Sequence, residues 1–210
     1  MILALDCASS VGSVALVRDT EPAEVVRSVT FATPRGRGGT LFSVLEEMLQ
    51  EAGEIRRVVA GTGPGSYNGI RAGLAAAWGI ATARGVPLTG VSSLLGLGDA
   101  DEDYLAVGDA RRGQFYFARV RQGHFEEVPG LYSEAEILRK IAAEGPSAES
   151  DGAKTRLYVP EPIAFLPQAV TEYPQAARLA RRASGILPAQ ELPEPLYLKP
   201  AYITQASKGR

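Results

Sequence analysis

The sequence predicts an α/β protein of two lobes, each built on a mixed sheet. Three observations carry that prediction. Short apolar runs are separated by turns of small residues, as in Ile2 to Leu5, Cys7 to Gly12 and Val14 to Val17. Helical periodicity then precedes Val58 to Ala60 and again Leu88 to Val91, so both strands should join their sheet by parallel crossovers. Finally, one order of events occurs twice in 210 residues: strand, small-residue turn, strand, strand, helix, strand. That repetition predicts a structural duplication, although the halves share negligible sequence identity.

Taken in order, the first two runs should pair as a hairpin across Cys7-Ala8-Ser9-Ser10-Val11-Gly12. Val25 to Phe31 puts Val25, Arg27, Val29 and Phe31 on one face and Val26, Ser28 and Thr30 on the other, a strand with one exposed side. Thr33 to Gly39 holds Pro34 and three glycines and reads as a mobile loop. From Thr40 to Ala52 the apolar residues Leu41, Phe42, Val44, Leu45, Met48, Leu49 and Ala52 fall within one helical arc of roughly 160°. That is wider than one sheet contact needs.

The stretch Gly61-Thr62-Gly63-Pro64-Gly65-Ser66-Tyr67-Asn68-Gly69-Ile70-Arg71 links the strand Val58 to Ala60 to the next helix. So many glycines let backbone approach something closely, either phosphate oxygens or another protein surface. The turn has no third glycine at Ser66 for a dinucleotide fingerprint and no lysine for a phosphate loop. It reads as a tight structural turn through Gly63, Pro64, Gly65, Ser66 and Gly69, with Ser66 or Asn68 as N-cap. The helix behind it, about Gly69 to Arg84, carries small Ala72, Ala76, Gly79 and Ala83 on one side. Leu74, Ala77, Trp78 and Ala81 lie on the other. With both sides apolar it should be buried all round, between its sheet and something else.

Acidic Asp99 to Asp103 should join the lobes, giving a first lobe over residues 1–98, a smaller second lobe over 104–190 and an extended proline-bearing tail over 191–210. The second lobe should hold strands at Tyr104 to Val107, Gln114 to Val120 and Phe125 to Val128. Ser133-Glu134-Ala135-Glu136 is a capping-box pattern opening a helix to about Ala143. Leu157 to Val159 is another strand, and Tyr173-Pro174 starts a last helix through Ala183.

Composition narrows the function classes. Hydrophobic content of 45% with 22% charged residues is ordinary for a soluble globular protein, and a net charge of -2 gives no broad footprint for nucleic acid. A single cysteine, Cys7, forms no intrachain disulfide and suits a reducing compartment. The opening Met1 to Asp6 lacks the basic region of a signal peptide, and no apolar run approaches the roughly 20 residues of a membrane helix. The expectation is a cytoplasmic protein.

Three segments carry a resemblance. Asp6-Cys7-Ala8-Ser9-Ser10, Gly63-Pro64-Gly65-Ser66-Tyr67-Asn68-Gly69-Ile70-Arg71 and Asp109-Ala110-Arg111-Arg112-Gly113-Gln114-Phe115-Tyr116 are similar to the bacterial TsaB (YeaZ) family. Val91-Ser92-Ser93-Leu94 and Pro195-Leu196-Tyr197-Leu198 match it as well. The resemblance is dense in the N-terminal half and patchy from about Gln122 to Leu192. The chain departs at Arg35 to Gly39, where family members commonly carry a histidine and polar residues. The resemblance implies a two-lobe actin-like fold (ASKHA, ribonuclease H-like) with a reduced second lobe. It also implies a non-catalytic subunit that binds the TsaD-type paralogue, works beside a TsaE-type ATPase, and supports threonylcarbamoyl-adenosine (t6A) modification of tRNA. The N-terminal helices of the family pack on that paralogue or on a second copy of themselves.

Helix periodicity points to the same helices, and Leu41, Phe42, Leu45, Met48, Leu49, Leu74, Ala77, Trp78 and Ala81 are the expected partner-binding residues. A metal or cofactor is not expected, since one histidine, His124, cannot build a metal site and reads as a strand-edge residue. A vestigial nucleotide site would use Asp6, Ser9, Ser10 and Asp109, and an ATP-dependent enzyme of the actin-like class is the alternative. The plainer reading makes each aspartate the cap of a hairpin turn. A peptidase would need Ser66 or Cys7 as nucleophile, with no paired base in view. The arginines Arg35, Arg37, Arg56, Arg57, Arg111 and Arg112 lack the interleaved aromatics of an RNA-binding surface, so tRNA should be met only through the complex.

Overall fold

The computed structural model describes residues 1–20, 22–33, 39–143, 155–183, 186 and 191–198. Residues 34–38 of the expected loop, with the arginines at 35 and 37, and the tail beyond Leu198 lie outside these residues.

The chain runs β1 (Ile2–Asp6), β2 (Val11–Arg18), β3 (Glu24–Ala32), α1 (Gly39–Glu51), β4 (Arg57–Gly61), α2 (Tyr67–Arg84) and β5 (Leu88–Val91), then a 3-10 turn at Ser93–Gly96. The second half follows as β6 (Tyr104–Asp109), β7 (Gln114–Arg121), β8 (His124–Ser133), α3 (Glu134–Ala143), β9 (Arg156–Val159), β10 (Val170–Thr171) and α4 (Ala176–Ala183). The first sheet has the order β3-β2-β1-β4-β5 and the second β8-β7-β6-β9-β10, the same order by position. In each, the first three strands are antiparallel and the last two parallel to the first. The predicted duplication is therefore visible in topology. The 3-10 turn and β10 are elements that their short runs hide in the sequence.

Strand β1 is buried at every residue because both faces of the first sheet are covered. One face, carrying Leu3, Leu5, Val14, Leu16, Val58 and Ala60, packs under α1 and α2. The other, carrying Ile2, Ala4, Ala15, Val17 and Val59, packs under Ala176, Leu179, Ala180 and Ala183 of α4. The last helix is thus a layer of the first lobe, although its sequence lies within the span expected for the second. Its place is held by buried bonds. Ser13 Oγ donates to Pro174 O at 2.9 Å and accepts from Ala176 N at 2.8 Å. Conversely, Leu94 of the 3-10 turn and Leu97 just after it join Tyr104, Ala106, Tyr116 and Val120 of the second sheet, while Leu95 between them packs on both cores.

The local signals hold. Ser66 caps α2 through Gly69 N, and Gly85 ends it in the left-handed conformation with φ 63°. Ser133 Oγ donates to Glu136 Oε2 at 2.6 Å, and the same carboxylate accepts from Ser133 N at 2.8 Å. Among the described residues no helix is long and apolar enough to cross a membrane.

Candidate docking site

The glycine turn places α2 against the first hairpin. Ser66 N donates to Ala8 O at 2.7 Å. A Cβ on Gly65 would be driven into the Ala8 carbonyl oxygen, and one on Gly69 into that of Cys7. At Gly69 the requirement is therefore close approach of two backbones rather than an unusual φ. Serines from the Ser92-Ser93 pair hold the turn from the far side. Gly63 N donates to Ser93 Oγ at 2.9 Å, and Ser92 Oγ donates to Gly63 O at 2.8 Å.

Over the first sheet α2 buries Ile70, Gly73, Leu74, Ala77 and Ala81. Its opposite side is exposed in the chain by itself, so the second cover expected for this helix does not come from its own lobe. Three of the expected partner-binding residues of this helix, Leu74, Ala77 and Ala81, belong to the protein's own core. Helix α1 divides in the same way. Leu41, Leu45 and Met48, at spacings of four and three, turn to the sheet, and Leu45 is only 3% exposed. Burying each is worth about 2–3 kcal/mol, which keeps them from a partner. Phe42 (59% exposed) and Trp78 (52% exposed) remain at the surface, and Leu49 is half-buried.

Between the two helices lies an apolar groove of about 630 Å³, lined by Phe42, Leu45, Leu49, Ala75, Gly79 and Ile80, with Glu46 and Gln50 at its rim. The small residues of α2 form one wall of it. Their stripe is legible in the sequence, but nothing local says whether it faces inward or outward. Ala76 and Gly79 of that stripe line the groove yet stand outside the expected partner-binding set for that reason, and Ala75 and Ile80 beside them were missed as well.

The four residues of the expected nucleotide site are not alike. Asp6 and Asp109 each accept the N–H two residues on, from Ala8 at 2.8 Å and Arg111 at 2.6 Å, the turn-capping role. Asp109 is exposed and pairs with the Arg111 guanidinium at 3.1 Å. Asp6 is buried, and its second oxygen accepts from Ser93 Oγ. Burial pushes its carboxyl up to about 6, against the opposing pull of the bonds from Ser93 and Ala8. A Cβ on Gly61 would be driven into Asp6, so the carboxylate is walled in by backbone. Ser9 is buried with its hydroxyl donating to Val11 O, and Ser10 N donates to Glu161 Oε1 of the second lobe at 2.8 Å. As for the peptidase nucleophiles, Cys7 is buried and its thiol is pushed up to about 12 by burial and by Asp6, which leaves it protonated. Ser66 spends its hydroxyl on the helix cap. Among the described residues no three His, Cys, Asp or Glu side chains gather as a metal site, and His124 is exposed at the start of edge strand β8.

The family described as TsaD, tRNA N6-adenosine threonylcarbamoyltransferase, matches residues 39–165. The chain belongs to that family. Within it the chain is similar to the tRNA threonylcarbamoyladenosine biosynthesis protein TsaB of Escherichia coli, 28% identical over 94% of both chains. The Bacillus subtilis protein of the same name is 30% identical over 60% of this chain and 58% of its own. YeaZ from Pseudomonas aeruginosa superposes with a TM-score of 0.66 over 94% of this chain and 99% of that one, at 23% identity, which shows a shared fold. Within the TsaD family the chain is thus similar over nearly its whole length to TsaB and shares the two-lobe fold of YeaZ.

Proposed function

We propose that this chain is a non-catalytic assembly and activating subunit in t6A modification of tRNA, and that it docks the TsaD-type paralogue on the groove between α1 and α2. The observation that carries the reading is that groove. Two helices already anchored to their own sheet leave Phe42, Leu49, Ala75, Gly79 and Ile80 lining that groove, with Trp78 exposed elsewhere on α2, apolar surface of a kind that marks interaction sites. Alanine and glycine on one wall let a partner helix approach closely, and Phe42 and Trp78 are large anchors of the type that dominate interface energetics. The names of the relatives support the pathway, and the walled-in Asp6 supports a scaffold over an ATP-dependent enzyme. In this reading the isolated chain forms a homodimer through the same face. A TsaE-type ATPase joins the complex, tRNA is met through the complex, and the setting is the cytoplasm.

The test is binding to the TsaD-type paralogue by calorimetry, with t6A formation measured in the reconstituted system. Phe42→Glu and Trp78→Glu should each weaken binding at least about tenfold, since a charge forced into an apolar contact is costly, and t6A formation should fall with it. Their melting temperatures should stay near wild type. Undiminished binding by both variants would sink the reading. Sub-millimolar binding of ATP and Mg²⁺ by the isolated chain, lost in Asp6→Asn, would put the ATP-dependent enzyme in its place.

A further inference from the structure

Pro195-Leu196-Tyr197-Leu198 has no part in the groove, yet it makes a set of long-range contacts. Leu196 N donates to Thr62 O at 2.8 Å, while Thr62 N donates to Val91 O at 2.9 Å, so the segment extends the hydrogen bonding at the ends of β4 and β5. Two residues before Pro195, Pro193 lies against Gly90 so closely that a Cβ there would be driven into the proline ring. Tyr197 stacks on Tyr67, the first residue of α2, with ring centroids 4.9 Å apart and planes at 25°. On Tyr67 in turn sits the Arg71 guanidinium, 5.2 Å from the ring centroid, with Nη1 donating to the Tyr67 hydroxyl at 2.8 Å. Leu198 then packs on the core of the second sheet.

We infer that residues 193–198 are a strap that fixes the glycine turn and the first turn of α2, with Tyr197 as a positioning residue for partner docking. The strap spans both lobes and grips α2 at one end. From the gripped residue, Arg71 and Ala75 follow at spacings of four along the exposed side of that helix, and Ala75 lines the groove. A helix held at its first turn presents that row in one orientation. Docking then needs no reordering of α2, and ordering costs are among those that weaken association. The inference rests on the docking reading above for its effect on binding, but the strap itself is read independently.

Hydrogen exchange and binding separate the two. In full-length Tyr197→Ala, the amides of Ser66, Gly69 and Ile70 should exchange about 3- to 10-fold faster, the range an aromatic pair contributes. Affinity for the TsaD-type paralogue should fall by a similar factor. Tyr197→Phe keeps the ring and should restore both. Unchanged exchange in Tyr197→Ala overturns the strap. Faster exchange with unchanged affinity, where Phe42→Glu still abolishes binding, overturns the positioning role. If Phe42→Glu binds normally the docking reading falls by itself, and faster exchange in Tyr197→Ala still supports the strap.

Discussion

The two lobes share a strand order but cover their sheets differently. In the first lobe the crossover from β4 to β5 is an 18-residue helix, α2. In the second, the equivalent crossover from β9 to β10 is a run of turns over residues 160–169, from which Ile163 and Leu166 fill the core beside Phe117, Ile137 and Val159. A few apolar side chains on a loop, with Phe165 and Ala169 packed beside them, suffice to cover that part of a sheet. A helix does the same job with one side and has another side left over. The difference teaches where the apolar groove comes from: the elements that cover the first sheet present more apolar surface than the sheet can bury.

The same contrast runs through the paired turns. Both strands β1 and β6 end in an aspartate that caps the following turn. Around Asp6 the structure is dense, with Gly61, Ser93 and the glycine turn packed against it. A Cβ at Gly113, in the second turn, would meet nothing within 4 Å.

The largest effect should come from Gly69→Val. Its side chain would have to displace the Cys7 carbonyl, and we expect a loss above about 3 kcal/mol, well beyond the ~1 kcal/mol of an ordinary helix glycine change. Gly113→Ala, at φ 69° with open space around it, should cost only about 1–2 kcal/mol. Equal losses in thermal melts would erase the contrast between the two turns.

Next, Leu45→Ala and Phe42→Ala should separate the inward and outward sides of α1. Truncating buried Leu45 should cost about 2–5 kcal/mol in denaturant unfolding. Exposed Phe42→Ala should stay within about 0.5 kcal/mol while weakening self-association in sedimentation. Comparable losses of stability would mean that α1 has no free side.

A pH series sharpens the Asp6 environment. Its carboxyl sits at about 6 in the folded protein against about 3.9 unfolded, so between those values the folded state holds the extra proton. Stability from this group is therefore fully present below pH 4 and falls as pH rises to 6, by up to about 3 kcal/mol. Asp6→Asn should flatten that part of the profile, and an unchanged slope would count against the buried carboxyl. The smallest effect belongs to Asp109→Ala, which removes an exposed turn bond and should cost about 1 kcal/mol in thermal melts.

Much of this was legible along the chain. Strand and helix order, the Ser133-Glu136 capping box and the Ser66 cap rest on contacts within a few residues, where periodicity and turn chemistry are sufficient, and the parallel crossovers follow from that order by the rules of chain connection. The glycine turn was legible as a close approach, and Gly65 and Gly69 meet backbone, at Ala8 and Cys7. The candidate site was legible only in part. α1 and α2 could be named as the helices with apolar surface to spare, yet Leu41, Leu45, Met48, Leu74, Ala77 and Ala81 turn to their own sheet.

What the sequence by itself determined, then, is the set of elements, their order and the excess of apolar surface on two of them. Only the tertiary structure decided which side of each helix is the excess. An apolar arc wider than one contact is satisfied equally well by several rotations about the helix axis, and the strands beneath select one of them. It also decided that α4 covers the first sheet, that Glu161 meets Ser10 across the lobes, and that Tyr197 lies on Tyr67. Each of these joins residues more than 100 positions apart, and no local propensity records such a pairing.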